Sequence, residues 1–454
     1  MLRLAIPLDP ATLDPAKAAD LPSLNVVHEL NAGLTRFSGR GVEPDLAESW
    51  EPSENGLVWT FHLRKGLRWS NDVPITAEDF RRSWLRALAP ETRSAYARAE
   101  MQNIRGARRY RVTGSGEVGV EAVDDRTLRV TLQHPVPWLD EQVAWPVFFP
   151  VPRSGTATSG PFRLASRNKG RLVLERNLDY WNVSAVKPRR VVLTTSADRV
   201  DGVLPRGLLA AGFPWVKTTT PPQRGRRLPT LSLGLLWLVT KEGPLADPRL
   251  RERVYVAALH RFGGQPSFVP PAMPGYSTIV PGGNRLLLPP GDGPARLTLA
   301  YTERDARAPL LVRELRGELA LAGIGLNLKA APTLAALQRV AGPPAQAGVD
   351  LVLLGWSSEF FDEYNILDLF PCASAFNIAR WCDRGYDRLM SRAVRELDDE
   401  ARYRIERELV TKLEDSVPAI PLYSPKEHVL LNDGVRGFGW SPIGFYELTG
   451  MTRS

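Results

Sequence analysis

The sequence predicts an α/β protein of two or three domains, with an antiparallel β-rich insert near residues 36–150. Three observations carry this. Strand-like and helix-like patterns alternate along much of the chain, period-two strands interrupt them early, and 454 residues exceed what one hydrophobic core organises. Hydrophobic residues at 43% and charged residues at 24% are ordinary for a globular chain. No internal repeat and no low-complexity tract is visible.

Taken in order, the chain opens with a short strand (Leu2–Pro7), a Pro/Asp-rich turn (Asp9–Pro15) and a helix through Leu24–Leu30. Leu57, Trp59, Phe61 and Leu63 alternate with Val58, Thr60 and His62, the pattern of a half-buried strand. Trp69–Pro90 (WSNDVPITAEDFRRSWLRALAP) leads through a polar turn into a helix. Thr76 and Asp79 are spaced as a capping box, Phe80, Trp84 and Leu88 follow at four-residue intervals, and Pro90 ends it. Leu128, Val130 and Leu132 alternate with polar neighbours after an Asp124-Asp125 turn.

Arg153–Gly160 (RSGTATSG) and the Pro/Arg-rich Thr218–Pro229 read as crossings between domains. Leu172–Trp181 reads as a strand running into a turn, and Asp247-Pro248 opens a helix whose apolar stripe is Leu250, Val254, Ala257 and Ala258. Arg296–Tyr301, Leu310–Ala322 and Gly325–Lys329 make a strand–helix–strand pattern. Val349–Leu354 is an apolar strand ending at Gly355-Trp356, and helices over Tyr386–Leu397 and Glu400–Asp415 lead to Pro418–Tyr423.

The formal charge is +8, with basic clusters at Arg105–Arg111, Arg224–Arg227 and Lys187–Arg190. These are short, far apart and set in loop-like sequence without aromatic platforms between them. They read as solvated surface, with no nucleic-acid partner. No apolar run reaches the roughly 18 residues of a membrane helix. The start, MLRLAIPLDPATLDP, lacks a charged leader followed by an apolar stretch, leaving either a cytosolic protein or one whose leader has been replaced by a starting Met. The two cysteines, Cys372 and Cys382, have no histidine near them, so zinc is not expected. They can close a small disulfide loop or stand as two buried thiols.

Enzyme motifs are wanting. Gly114–Gly119 (GSGEVG) matches G-x-G-x-x-G formally, but a strand pattern follows it where a dinucleotide site needs a helix, so it reads as a hairpin loop. The five histidines do not pair at ligand spacing. No cofactor, no metal and no catalytic residue are expected. The informative polar segment is Gly355–Asp368 (GWSSEFFDEYNILD), where Glu359, Asp362, Glu363 and Asp368 follow a buried strand. Ligands of α/β domains bind outside the carboxyl ends of strands. A carboxylate there, walled by Trp356, Phe360 and Phe361, suits a cation such as a peptide α-ammonium. A solvated acidic loop is the alternative. One local cluster cannot place an acid and a nucleophile on opposite sides of a glycosidic bond.

Several segments, in this order, resemble the extracytoplasmic peptide-binding proteins of ABC importers, the oligopeptide/dipeptide-binding family (family 5). They are Leu13–Leu34, Val42–Phe61, the WSNDVP segment and its helix, Val118–Leu132, Leu172–Trp181, Asp247–Arg261 and Ala419–Tyr423. The resemblance implies a two-lobed periplasmic-binding-protein-like fold (type II, cluster C) with an additional β-rich inserted domain. The lobes would be 1–34, 153–218 and 424–454 for the first and 219–423 for the second, with 35–152 as the insert.

It also implies a non-enzymatic monomer outside the cytoplasm, periplasmic or lipid-anchored. That monomer takes a peptide ligand between its lobes and hands it to the transmembrane permease subunits of an importer. Glu359, three residues after the tryptophan of Gly355-Trp356, occupies the position of an acid that pairs with the peptide α-ammonium, usually Asp in the family. Leu21 and Ser357 match positions giving backbone contacts, Tyr96 lies near a tyrosine at the amine, and Asp362 is the neighbouring alternative. The oligopeptide binders carry Arg three residues before the tryptophan, where this chain has Leu353. Cys372 and Cys382 match the disulfide pair of the dipeptide- and nickel-binding branch. The stretch from Gly264 to Gly348 is shorter than usual, so no ligand residue is carried over there. A metal chelate, opine or oligosaccharide is the alternative solute, and a cytosolic sensor built on the same fold is the alternative role.

Overall fold

Period-two patterning becomes antiparallel sheet early in the chain. Strand Val58–Leu63 buries Trp59, Phe61 and Leu63 and pairs with Ala47–Pro52 on one side and Thr127–Thr131 on the other. Val120–Ala122 completes this four-stranded sheet. The helix Ala77–Leu88 packs on it, opened by the Thr76/Asp79 capping box. Its Phe80, Trp84 and Leu88 are buried, each stabilising the fold by roughly 1.5–3 kcal/mol. The Trp84 indole N–H donates to the Phe148 carbonyl at 2.6 Å, which satisfies the polar end of a ring fully inside the core.

This computed structural model describes residues 1–39, 41–195, 200–204, 225–262, 267–274, 276, 293–303, 305, 307–341 and 348–454. They fall into two compact units. The first holds everything up to 204 together with 225–228 and 426–454, and the second runs from 229 to 425.

In the first unit the described residues form a seven-stranded mixed sheet in which Leu2–Ala5 lies parallel to both Arg190–Thr194 and Gly202–Val203. Helix Leu21–Leu30 is capped by Asp20, whose carboxylate accepts from the Ser23 amide at 2.9 Å. This helix is tied to distant chain. Asn25 accepts from the Tyr446 amide at 2.9 Å, and Glu29 accepts from the Leu448 amide at 2.9 Å.

One expectation changes here, and with it the setting of three arginines. The Gly-rich Gly114–Gly119 is not the loop of a hairpin; it follows the helix Ala107–Thr113, and the hairpin of Val120–Ala122 with Thr127–Thr131 comes after it. Gly114 caps that helix at φ 69°, a left-handed conformation glycine adopts freely. Arg108, Arg109 and Arg111 therefore sit on a helix, not in a loop. Arg153–Gly160 lies inside the first unit and is stitched there. The Gly160 amide donates to Leu30 O at 3.0 Å, and its carbonyl accepts from Asn177 at 2.9 Å. The chain passes between units at 228–229 and again at 425–426. Most of Thr218–Pro229 lies outside the described residues.

The second unit is organised by one strand, Ser232–Leu238, every residue of which is buried. It pairs antiparallel with Leu351–Leu353, Trp356–Ser357 and Ala419–Tyr423. Ala295–Thr302 and Ile324–Ala331 are parallel neighbours connected through helix Ala308–Leu321, the expected strand–helix–strand unit. One core contains Leu250 and Val254 of helix Pro248–Phe262 together with Leu315 and Leu319. A second core takes Leu409 and Leu413 of helix Asp399–Ser416 with Tyr386 and Met390. A disulfide joins Cys372 to Cys382, with Cα atoms 4.6 Å apart.

Candidate functional site

The apolar strand Leu351–Leu353 ends just before Gly355, and the chain turns into a two-residue strand, Trp356–Ser357. The central strand holds both. Leu236 and Leu238 pair with the longer segment, while Ser232 and Leu233 pair with Ser357 and Trp356. The hydroxyls of Ser232 and Ser357 are hydrogen-bonded at 2.9 Å, and the Ser358 amide donates to Leu231 O at 2.8 Å. Gly355 is required by close approach, since a Cβ there would stand 2.6 Å from the Leu233 carbonyl oxygen.

Trp356 is half-buried and donates its indole N–H to Asn365 Oδ1 at 2.9 Å. Its ring meets Phe376 edge-on with centroids 5.2 Å apart, and Phe376 is 56% exposed. Of the three expected aromatic walls only Trp356 stays near the surface. Phe360 and Phe361 are drawn into the interior, as large apolar rings are when the fold offers them room. Phe376, which no pattern around the acidic loop singles out, joins Trp356 instead. Its signal is an aromatic residue inside the loop that the disulfide closes.

The four acids divide into two kinds. Asp368 is exposed and Glu359 half-buried, whereas Asp362 and Glu363 are each 2% exposed. Asp362 Oδ2 accepts from Arg402 Nε at 2.8 Å, and its Oδ1 accepts from the Tyr364 amide at 2.9 Å. Arg402 also donates to Asp399 at 2.6 Å. Glu406 lies 3.9 Å from the same guanidinium. Neither oxygen of Glu363 or Glu406 has a hydrogen-bond partner. Burial, reinforced by the Asp362 charge, pushes the Glu363 carboxyl up to about 8 and raises that of Glu406 strongly. Both carboxyls are thereby shifted toward the protonated form.

Asp362 is thus occupied in the interior, while Glu359, half-buried and close in sequence to Trp356 and Ser357, and Asp368, exposed, are the loop acids nearer the surface. Arg402 and Glu406 were not singled out in the sequence. They fall in phase with Leu409 and Leu413 on one helix, and charges within an apolar stripe are the signal that could have found them.

Two expected residues belong to the first unit. Leu21 is the first residue of its helix, is half-buried, and its carbonyl accepts from Asn25 Nδ2 at 3.1 Å. Tyr96 is half-buried on the short helix Ala95–Glu100 and stacks on Trp145 with centroids 5.3 Å apart. Trp145 in turn meets Phe445 and Phe37 edge-on at 5.3 and 5.8 Å, and His28 stacks on Phe445 at 4.9 Å. His28 is half-buried there, and desolvation, with the Arg36 charge, lowers its pKa to about 4, so it is neutral and acts as an aromatic plate.

Residues 41–258 match the family model of bacterial extracellular solute-binding proteins, family 5. The chain is similar to the probable deoxycholate-binding periplasmic protein YgiS of Escherichia coli strain K12, with 28% identity over 95% of the chain and 89% of that protein. It is also similar to the oligopeptide-binding protein OppA of Bacillus subtilis strain 168, with 25% identity over 96% of the chain and 89% of that protein. Among solved structures, the unliganded open form of the periplasmic murein tripeptide-binding protein MppA superposes with a TM-score of 0.85 at 23% identity, covering 100% of this chain and 97% of that one. The two chains share the fold.

Proposed function

We propose that this chain, whose residues 41–258 match the family model of bacterial extracellular solute-binding proteins, family 5, binds di- or oligopeptides between two lobes and delivers them to the permease of an ABC importer. The lobes of this reading are 1–34, 153–218 and 424–454 for the first and 219–423 for the second, with 35–152 inserted. It works outside the cytoplasm, as a monomer without catalytic chemistry. Relatives named for oligopeptide binding support the solute class.

The observation that carries the reading is the division of labour in the acidic loop. Asp362 and Glu363 are turned inward, while Glu359 stands half-buried, close in sequence to Trp356 and Ser357, just past the end of a buried strand. A carboxylate so placed suits a peptide α-ammonium, and the adjacent short strand offers backbone groups to an extended peptide.

A second reading follows from the relative named as a probable deoxycholate binder. A steroid carboxylate would meet Glu359 as a like charge, so the two readings separate on charge. Native mass spectrometry of the purified protein, followed by calorimetry with a free tripeptide, its N-acetylated form and deoxycholate, tests them. Preference for the free amine supports the peptide. Binding of deoxycholate alone overturns it.

A further inference from the structure

At the far end of the central strand from Ser357, the second unit contains a cavity of about 790 Å³ whose lining, among the described residues, includes three cationic side chains, Lys241, Arg251 and Arg380, and no carboxylate. The cystine Cys372–Cys382 forms part of its wall. Thr240, also in the lining, is eight residues beyond Ser232 along an extended chain, roughly 25 Å away. The cavity therefore centres away from Ser357, although Phe376, between its lining residues Ser374 and Asn377, reaches Trp356.

Arg380 is the unusual member. It holds a left-handed backbone conformation, φ 53°, which few residues other than glycine and asparagine adopt. Its Nε and Nη2 are shielded from solvent without a hydrogen-bond partner. Half of a guanidinium fork left unmatched in a cavity wall calls for an acceptor with two oxygens. The loop that presents it is rigid. Asn377, itself buried, donates to Phe370 O, Pro371 O and Trp381 O at 3.0, 3.1 and 2.7 Å, and the Thr240 amide donates to Ala379 O at 2.9 Å.

Arg251 gives its N–H groups only to neutral carbonyls, those of Ser416, Leu245 and Ala246, so its charge is not cancelled by a hydrogen-bonded carboxylate. Asp383 pairs with Lys412 at 3.0 Å and Asp387 accepts from the Cys372 amide at 3.0 Å, while Asp247 accepts from the Arg249 amide at 2.9 Å and its charge also acts on Arg251.

We propose that this cavity binds a compact oxyanion, a phosphate or carboxylate group, received bidentately by Arg380 and closed over by Lys241. The group can arrive as a free anion or as the head of an anionic lipid, and the same fork reads both. The site is independent of the peptide reading and stands or falls without it.

Calorimetry with inorganic phosphate on the full chain tests the assignment. Arg380→Asn, which tolerates the left-handed backbone, should weaken phosphate binding roughly 10- to 100-fold, the loss of a charge-assisted pair. Exposed Lys241→Gln should weaken it several-fold with the thermal midpoint unchanged. Cleaving the Cys372–Cys382 bond with reductant should weaken it too, because the bond closes the loop that presents Arg380. Sedimentation with phosphatidylglycerol vesicles identifies the source: binding lost in Arg380→Asn assigns a lipid headgroup to the site. Phosphate and vesicle binding unchanged in both variants, or absent from the wild type, overturns the proposal.

Discussion

Arg402 reaches a single oxygen of Asp362 from two of its nitrogens, Nε at 2.8 Å and Nη2 at 2.7 Å, with both side chains almost sealed from solvent. This contact pins the acidic loop to the helix Asp399–Ser416. A buried pair is weak evidence for net stability, but breaking it from one side leaves an uncompensated charge. Arg402→Met should cost roughly 3–5 kcal/mol by urea unfolding, and Arg402→Met combined with Asp362→Leu should recover most of that. A single variant as stable as the wild type would remove the role.

The neighbouring Glu363 gives a pH signature. Its folded pKa is raised to about 8 by burial and then by Asp362, from the ordinary 4.5 of a glutamate. The folded state therefore holds a proton the unfolded chain releases. The contribution is fully present below about pH 4.5 and is lost as pH rises through 8. Glu363→Gln should flatten this fall, seen as a higher thermal midpoint than the wild type near pH 8 and a similar one near pH 5. Parallel pH profiles would count against it.

Glu359→Gln tests the amine pairing. Removing one member of a desolvated charge pair typically costs roughly 2–5 kcal/mol, about 30- to 5,000-fold in affinity. Free-amine peptides should weaken by that much and N-acetylated ones hardly at all, with Glu359→Asp mild. Equal affinity of the Gln variant and the wild type for the free peptide would end the assignment.

The disulfide closes a ten-residue separation. Loop-closure entropy puts its stabilisation at about 2–3 kcal/mol. Replacing Cys372 and Cys382 together by Ala should lower the unfolding free energy by that amount. Under oxidising conditions neither thiol should alkylate before reduction.

Gly355→Ala places a methyl group 2.6 Å from Leu233 O and must push the Trp356–Ser357 strand off its partner. A loss of roughly 1–3 kcal/mol is expected, the range for overpacking. Peptide affinity should fall more steeply than stability, because the displaced strand adjoins Glu359. Unchanged affinity would separate the strand from the ligand.

Local pattern carried the elements well. The Thr76/Asp79 box, the alternation around Trp59 and Phe61 and the Asp247-Pro248 helix start each depend on residues within a few positions, so short windows contain them. Gly355–Asp368 was legible as a polar segment for the same reason. Which of its acids turns inward was not, because that depends on Arg402, forty positions away. Phe360 and Phe361 misled likewise, since a ring beside an acid looks the same in sequence whether it walls a site or fills a core. Gly114 misled for a shorter-range reason: a glycine that ends a helix and one that turns a hairpin share the same left-handed preference.

The bonds from Asn25 and Glu29 to Tyr446 and Leu448 constrain the order in which the protein can be made. Asn25 and its partner are 421 positions apart. At about 5–20 residues per second, synthesis separates them by roughly 20–80 s. The second unit, drawn from one stretch between 229 and 425, is complete in sequence before the first has its closing strands. Val26, Val27 and Leu30, all buried in the finished fold, leave the ribosome well ahead of Tyr446 and Leu448 and wait for them. Whatever shields nascent chains from aggregation must cover this helix throughout that interval, and a truncation ahead of Tyr446 should leave the helix without its polar partners while the second unit still forms.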